Sequence, residues 1–237
     1  MDIFSSLAIV TLAGLVHASF QLSISVLTLL SGHTIGAKRS HARLLRLTSS
    51  FVFGTGLMTV LLLSFTSLLL LNIFGNHTPQ LIWAIACGLT VGVAIAIWVF
   101  YYRHEKGTTL WIPRSMATYL NKRTKLTKLS GEAFGLGLSS VIGEIIFIIA
   151  PLFISALVLI QLPAVWQLVG IGIYTLVSML SIITVWVLIG SGHALSDIQR
   201  WRENNKHFIQ FTAGTGLVIL GFFVYVYQVL GGSIGVS

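Results

Sequence analysis

Glu144 is the acidic residue that the sequence places deep inside an apolar run, Gly131 to Pro151. If that run is a helix, Gly137, Ser140, Glu144, Pro151 and Ser155 fall near one face, because their separations are close to multiples of 3.6. Ile, Phe and Leu cover the opposite face. A charged side chain at the centre of a membrane-spanning helix costs roughly 2.5–3.5 kcal/mol even on the lenient insertion scale. A proton, a partner or a water-filled cavity must offset that cost. In the N-terminal apolar run, His17 and Gln21 stand four residues apart and so share a helix face, with Ser25 and Thr28 continuing the stripe. His17, Gln21, Ser140 and Glu144 could line one cavity that takes up and releases a proton or holds a small cation, as intramembrane acids often do. The competing account is a buried Glu–His or Glu–Gln hydrogen bond that only fixes helix packing. Pro151 belongs to the same candidate site. It cannot donate to the helix ladder and clashes with the Phe147 carbonyl, freeing that oxygen one turn from Glu144 for a cation or a water. A static kink is the alternative there.

The elements that must hold these residues are membrane spans. Of 237 residues, 55% are hydrophobic and 8% charged, against about 25% charged in an ordinary soluble domain. Six apolar segments reach the ~18-residue threshold for crossing a bilayer: about Ile3–Leu30, Ser49–Ile73, Gln80–Tyr102, Ser130–Ile160, Trp166–Ile189 and Phe208–Leu230. The fold expected is all-α and polytopic. No Lys or Arg precedes the first run and no A-x-A-like cleavage site follows it, so that run is expected to be a retained helix. Cys87 is the one cysteine, which rules out an intrachain disulfide or a CxxC motif.

The basic residues set an orientation. Every Lys and Arg lies in segments 38–46, 103–128 or 200–206, and the connections at 74–79 and 161–165 have none. In a six-span chain those three segments share one side, which the positive-inside rule makes cytoplasmic, with both termini outside. The formal charge of +8 is then a topology signal and gives no reason to invoke nucleic acid. Within 103–129, Ile112, Met116, Tyr119, Leu120, Leu126 and Leu129 recur at helical spacing from Pro113, among Arg114, Lys122, Arg123, Lys125 and Lys128. That pattern predicts an amphipathic helix on the cytoplasmic leaflet, drawn to anionic lipid. A plain basic linker is the alternative.

Three spans on either side of this loop make any duplication an inverted one. Gly14-Leu-Val-His17-Ala-Ser-Phe-Gln21 aligns with Gly137-Leu-Ser-Ser140-Val-Ile-Gly-Glu144. Gly54-Thr-Gly56 aligns with Gly170-Ile-Gly172, and Gly92 with Gly216, each followed by an apolar run to a tyrosine. The expected organisation is a first three-helix repeat over 1–102, the basic loop over 103–129 and a second repeat over 130–237. Secondary transporters use such inverted repeats, with a site near the midplane where the repeats meet. Gly88 and Gly92 form a GxxxG pair that permits close helix packing, and self-association with it.

Two inverted three-helix units, a first helix with Gly14-x-x-His17-Ala and a long basic loop after helix three resemble the lysine-exporter superfamily. That group includes amino-acid exporters, nickel/cobalt exporters and thiol-disulfide carriers. The resemblance implies an exporter fold but does not choose a substrate. The Pro-Gly-His of the metal branch is absent, Phe20-Gln21-Leu22 standing near its place. The early Pro-Gly of the amino-acid branch is missing, and Cys87 alone cannot supply a thiol pair.

Other chemistry finds little support. Ser31-Gly32-His33 and Ser191-Gly192-His193 recur at span ends beside His41, Asp197 and His207, but beyond His193 and Asp197 at i, i+4 they lack the tight spacing of a metal site and fit ordinary helix stops. No nucleophile with its base, Walker loop or dinucleotide fingerprint is present, so neither an enzyme nor a resident cofactor or metal is expected. The function expected is a secondary transporter in the inner membrane, more specifically an exporter of a small polar or cationic solute, with the proton as a candidate coupling ion. The rival is a non-transporting membrane module: an assembly factor, a lipid-handling protein or a partner-bound subunit.

Overall fold

The computed structural model describes residues 2–20, 22–36, 41–101, 113–193 and 195–231. Among these every regular element is helical: α1 (Ile3–Ala18), α2 (Leu22–Gly36), α3 (His41–Phe74), α4 (Gln80–Phe100), α5 (Arg114–Leu126), α6 (Ser130–Leu159), α7 (Ala164–Ser178), α8 (Leu180–Gly190), α9 (Leu195–Asn204) and α10 (Lys206–Val224). A π-helical stretch over Tyr225–Leu230 continues α10. Helices α3, α4, α6 and extended α10 are each long and apolar enough to cross a membrane. The pairs α1–α2 and α7–α8 pass the same test together but bend by 45° and 48°, giving four to six spans in all. Large apolar side chains such as Phe53, Phe65, Leu68 and Phe222 lie on the outside, as a lipid solvent favours. The chain is a multi-pass membrane protein.

Helix α6 is the hub. It carries the most deeply covered span, with 72% of its apolar window buried, and it packs against α1, α2, α3, α4 and α5. Its most extensive contact is with α3, and two glycines make that approach possible. A Cβ on Gly137 would run into the Phe51 carbonyl and the Thr55 amide, and one on Gly54 would run into the Phe134 carbonyl. Both obstacles are backbone, which cannot swing aside. A second close pair is α1 with α7, where a Cβ on Gly14 would come within 3.1 Å of Val177 and 3.2 Å of the Tyr174 carbonyl. Helices α4 and α10 form the third pair, with the α4 stripe Trp83, Ala86, Thr90, Ala94 and Ile97 buried. Helix α6 runs unbroken through Pro151.

Several sequence expectations change here. The first and fifth spans are not single helices. Helix α1 stops at Ala18, where the Ser19 and Phe20 amides turn back three residues to the carbonyls of Val16 and His17 (3.1 Å each). Helix α7 stops at Ser178. The stripe His17, Ser25, Thr28 is therefore cut by the break. Ser31-Gly32 is not a helix stop either, because α2 runs on to Gly36. Gly192, by contrast, follows α8 with a φ of +86°, a left-handed conformation that suits glycine. The Gly88/Gly92 pair makes no close packing within the chain: among the described residues nothing lies within 4 Å of a Cβ at either position. The amphipathic segment is helical over α5, which packs against α2 and α6. Leu120 is buried, and Met116 and Leu120 come within 4 Å of a Cβ built on Gly143. The turn between them is tied by Glu132, whose Oε2 accepts from the Lys128 and Leu129 amides at 2.6 and 3.0 Å.

Candidate functional site

Glu144 is the fifteenth of the 30 residues of α6, so at 1.5 Å per residue it lies roughly 21 Å from the helix start. Its side chain is buried (4% exposed). The partner that compensates it is the open end of another helix. Because α1 stops at Ala18, α2 begins in the interior at Leu22, and its first amides have no helical carbonyl to bond. The Ser23 amide donates to Glu144 Oε1 at 2.7 Å. A helix N-terminus carries about half a positive charge, so an anion is favoured there. Glu144 thus caps α2 from across the helix interface. Ser140, one turn before Glu144, completes the contact: its hydroxyl lies 3.1 Å from Ser23 Oγ and bonds its own Gly137 carbonyl at 2.8 Å.

His17, also buried, sits in the last turn of α1. Its Nδ1 lies 3.0 Å from the Tyr174 hydroxyl of α7, with ring centroids 5.6 Å apart. That nitrogen is therefore taken up by tyrosine, and no direct Glu144–His17 hydrogen bond is present. The two residues nevertheless line one small cavity of about 30 Å³. A space of that size holds about one or two waters. Ser23, Thr55, Thr59, Ser178 and Met179 also line it. Thr55, Thr59 and Ser178 each donate their hydroxyl proton to a carbonyl three or four residues back in the chain (2.7, 3.0 and 2.9 Å). Each such oxygen then has only lone pairs left to offer a guest. Three hydroxyl oxygens and a carboxyl thus offer acceptors to the cavity, beside the His17 imidazole, a chemistry that suits a small cation, a protonated species or water.

Both helix breaks open onto this space. Ala18, Phe20 and Ser23 come from the α1–α2 break, and Ser178, Met179 and Ser181 from the α7–α8 bend. The intact pair α3 and α6 supplies Thr55, Thr59 and Glu144. Of the expected site residues, Glu144 and His17 reach the cavity and Ser140 stands one bond behind it. Pro151 is not among its walls; the residue one turn before it, Phe147, instead stacks on Phe20 at 6.0 Å and meets Tyr101 edge-on at 4.9 Å. Gln21 lies outside the described residues, as does much of segment 103–129. Among the described residues no group of three or more His, Cys, Asp or Glu stands ready to hold a metal ion.

Sequence reasoning missed Ser23, Tyr174, Thr55, Thr59 and Ser178. The length of the first apolar run was the available signal: about 28 residues from Ile3 to Leu30 exceed the ~20 needed for a straight crossing, which leaves room for a break. No protein-family model, no characterised protein and no solved structure matches the chain.

Proposed function

We propose that this protein is a secondary transporter of a small polar or cationic solute, with Glu144 holding the transported or coupling cation. One observation carries the reading: the two bent spans meet at the same acceptor-lined cavity, and a buried carboxylate spans it to the N-terminus of a half-helix. Discontinuous helices whose ends face a buried site are the device by which many transporters present backbone and dipole to an ion. Such ends are also natural hinges, because fewer ladder bonds hold them.

The proposal includes an architecture of two inverted three-span repeats similar to the lysine-exporter superfamily. The pairing of helices supports it. Exchanging the first three spans for the last three turns the α3–α6 contact into the α7–α1 contact, turns α4–α6 into α10–α1, and leaves α1–α6 and α4–α10 unchanged, and all of these contacts are present. The aligned glycines agree, since Gly137 admits the second span and Gly14 the fifth. The symmetry is incomplete in a useful way. One exchanged pair, α3–α6, is straight and the other, α1–α2 with α7–α8, is bent, which divides a scaffold from the elements able to move. With the basic segments cytoplasmic, both termini lie outside and the direction proposed is export across the inner membrane.

A second reading has its own support. The Ser23 contact makes Glu144 a helix cap, and a cap can serve a non-transporting module equally well. Purified protein in liposomes, with proton flux followed by an entrapped pH-sensitive dye and uptake followed for small amines, amino acids and monovalent cations, separates the two. Transport that survives Glu144→Gln unchanged removes the transport role of this carboxyl.

A further inference from the structure

A second cavity, of about 460 Å³, lies between α2, α8 and α9, on the side that carries the basic segment of α9. Its walls are mostly apolar, including Val185, Leu188 and Trp201, and the ionisable residues His193, Asp197 and Arg202 also contribute. Two residues, Ile24 and Ser181, line both this cavity and the Glu144 cavity. They come from the first turn of α2 and the first turn of α8, immediately past the two helix breaks. The partition between the cavities is therefore built from the parts of the bent spans nearest their hinges. Ile24 is buried (3% exposed) and is the bulkier of the two. Arg202, itself buried, donates from Nη2 to Ser25 Oγ at 2.8 Å. That bond ties α9 to the residue next to Ile24.

Among the described residues the opposite side shows no such continuity. A cavity of about 420 Å³ there, lined by Asn76, His77, Gln80, Trp83, Gln161 and Gln228, shares no residue with the Glu144 cavity. Between them stand side chains with no exposed surface, among them Val10, Ala13, Leu63, Ile154 and Leu157. We propose that the cavity between α2, α8 and α9 is the antechamber through which water and a water-sized monovalent cation reach Glu144, with Ile24 as the side chain that closes the way. This rests on the transport reading for its purpose but on the shared walls for its geometry. A hydroxyl at Ser181 and carboxyls at Asp197 and Glu144 lie along the route, which gives a cation acceptors at the outer cavity, at the partition and at the end.

The test needs no transport. Cys87 is the chain's one cysteine, so Cys87→Ser gives a thiol-free background. In it, Ser178→Cys places a thiol in the inner cavity and Leu188→Cys one in the outer. Silver ion, a monovalent thiol-reactive cation of about water size, is applied to vesicles of each orientation, and the remaining thiol is counted after denaturation. The expected result is that silver titrates Ser178→Cys only from the face bearing α9. Ile24→Ala should speed that reaction at least about tenfold, equivalent to about 1.4 kcal/mol of lost closure. In the double variant with Leu188→Cys, prior reaction of that thiol with a bulky impermeant methanethiosulfonate should slow it by at least a similar factor, which keeps the test intact if Ile24→Ala does not fold. Reaction from the opposite face, equal reaction from both faces, no reaction from either, or indifference to the Leu188 plug overturns the route. An inactive Glu144→Gln with the route overturned leaves the transport reading in place with another path. A confirmed route with a fully active Glu144→Gln does the reverse.

Discussion

Replacing Glu144 in two ways separates what it does for the fold from what it does for a guest. Glutamine keeps an oxygen where Oε1 accepts from the Ser23 amide at 2.7 Å, so the first turn of α2 stays capped. What it loses is the attraction between a full charge and the helix end, worth about 0.3–1 kcal/mol and up to about 2 when partly buried. Glu144→Ala removes the acceptor altogether. It leaves the Ser23 amide unsatisfied in the interior at about 1–3 kcal/mol and opens space beside the existing cavity, for a combined loss of roughly 2–4 kcal/mol. Thermal unfolding in detergent, followed by size-exclusion chromatography of the surviving monodisperse protein, should place Gln close to the parent and Ala well below it. Flux in liposomes should be abolished in both. The reasoning fails if Gln is as unstable as Ala, because the capping contact would then not be what the oxygen supplies. It fails differently if Ala is as stable as the parent, which would mean that α2 does not depend on this contact.

Four further substitutions probe the surroundings. Gly137→Ala should push α3 from α6, because its Cβ meets the Phe51 carbonyl and Thr55 amide, and should cost about 1–3 kcal/mol or more in the same unfolding assay. Gly92→Ala, where a Cβ meets nothing within 4 Å, should instead be neutral or gain up to about 1 kcal/mol from helix propensity. Tyr174→Phe strips His17 Nδ1 of its partner at 3.0 Å and should cost about 1–3 kcal/mol, with proton flux falling if the imidazole's orientation matters to the cavity. Arg202→Met should free α9 from Ser25, seen as faster amide hydrogen exchange over residues 195–204 with exchange in α6 unchanged.

Much of the architecture was legible because it follows from composition and length. Hydropathy alone placed the ends of α4 and α6 to within a residue or two, since an apolar stretch flanked by polar turns has one good solution in lipid. Glu144 stood out for the same reason, as an expensive group where nothing local compensates it. The partner was not legible. Between Ala18 and Leu22 there is neither proline nor glycine, so although the length of the run leaves room for a break, no local residue marks where it falls and exposes the Ser23 amide. Tertiary contact, with the end of α1 held on Tyr174 and the start of α2 on Glu144, decides it. His17 lines the same cavity as Glu144, but its Nδ1 meets Tyr174, a partner that spacing could not name, because it says which face a residue occupies and not what lies across from it. Pro151 looked like a device for opening backbone near the acid, yet α6 absorbs it and the openings form in α1–α2 and α7–α8. The GxxxG pair of α4 takes no part in packing within the chain: a small-residue stripe permits close contact but does not require it, and the larger stripe on the other face of α4 took the intrachain packing.

The most direct test of the account is chemical modification of Glu144 itself. A membrane-permeant carbodiimide is applied to the folded protein, and adducts are located by peptide mass spectrometry with and without candidate monovalent cations at fixed pH and over a pH series. The account predicts an adduct at Glu144 in the folded state, whose rate responds to pH or to one of the cations while adducts at exposed Glu132 do not follow it. An adduct at Glu144 that forms only after unfolding would mean a sealed structural carboxyl, and would contradict the claim that this cavity receives a guest.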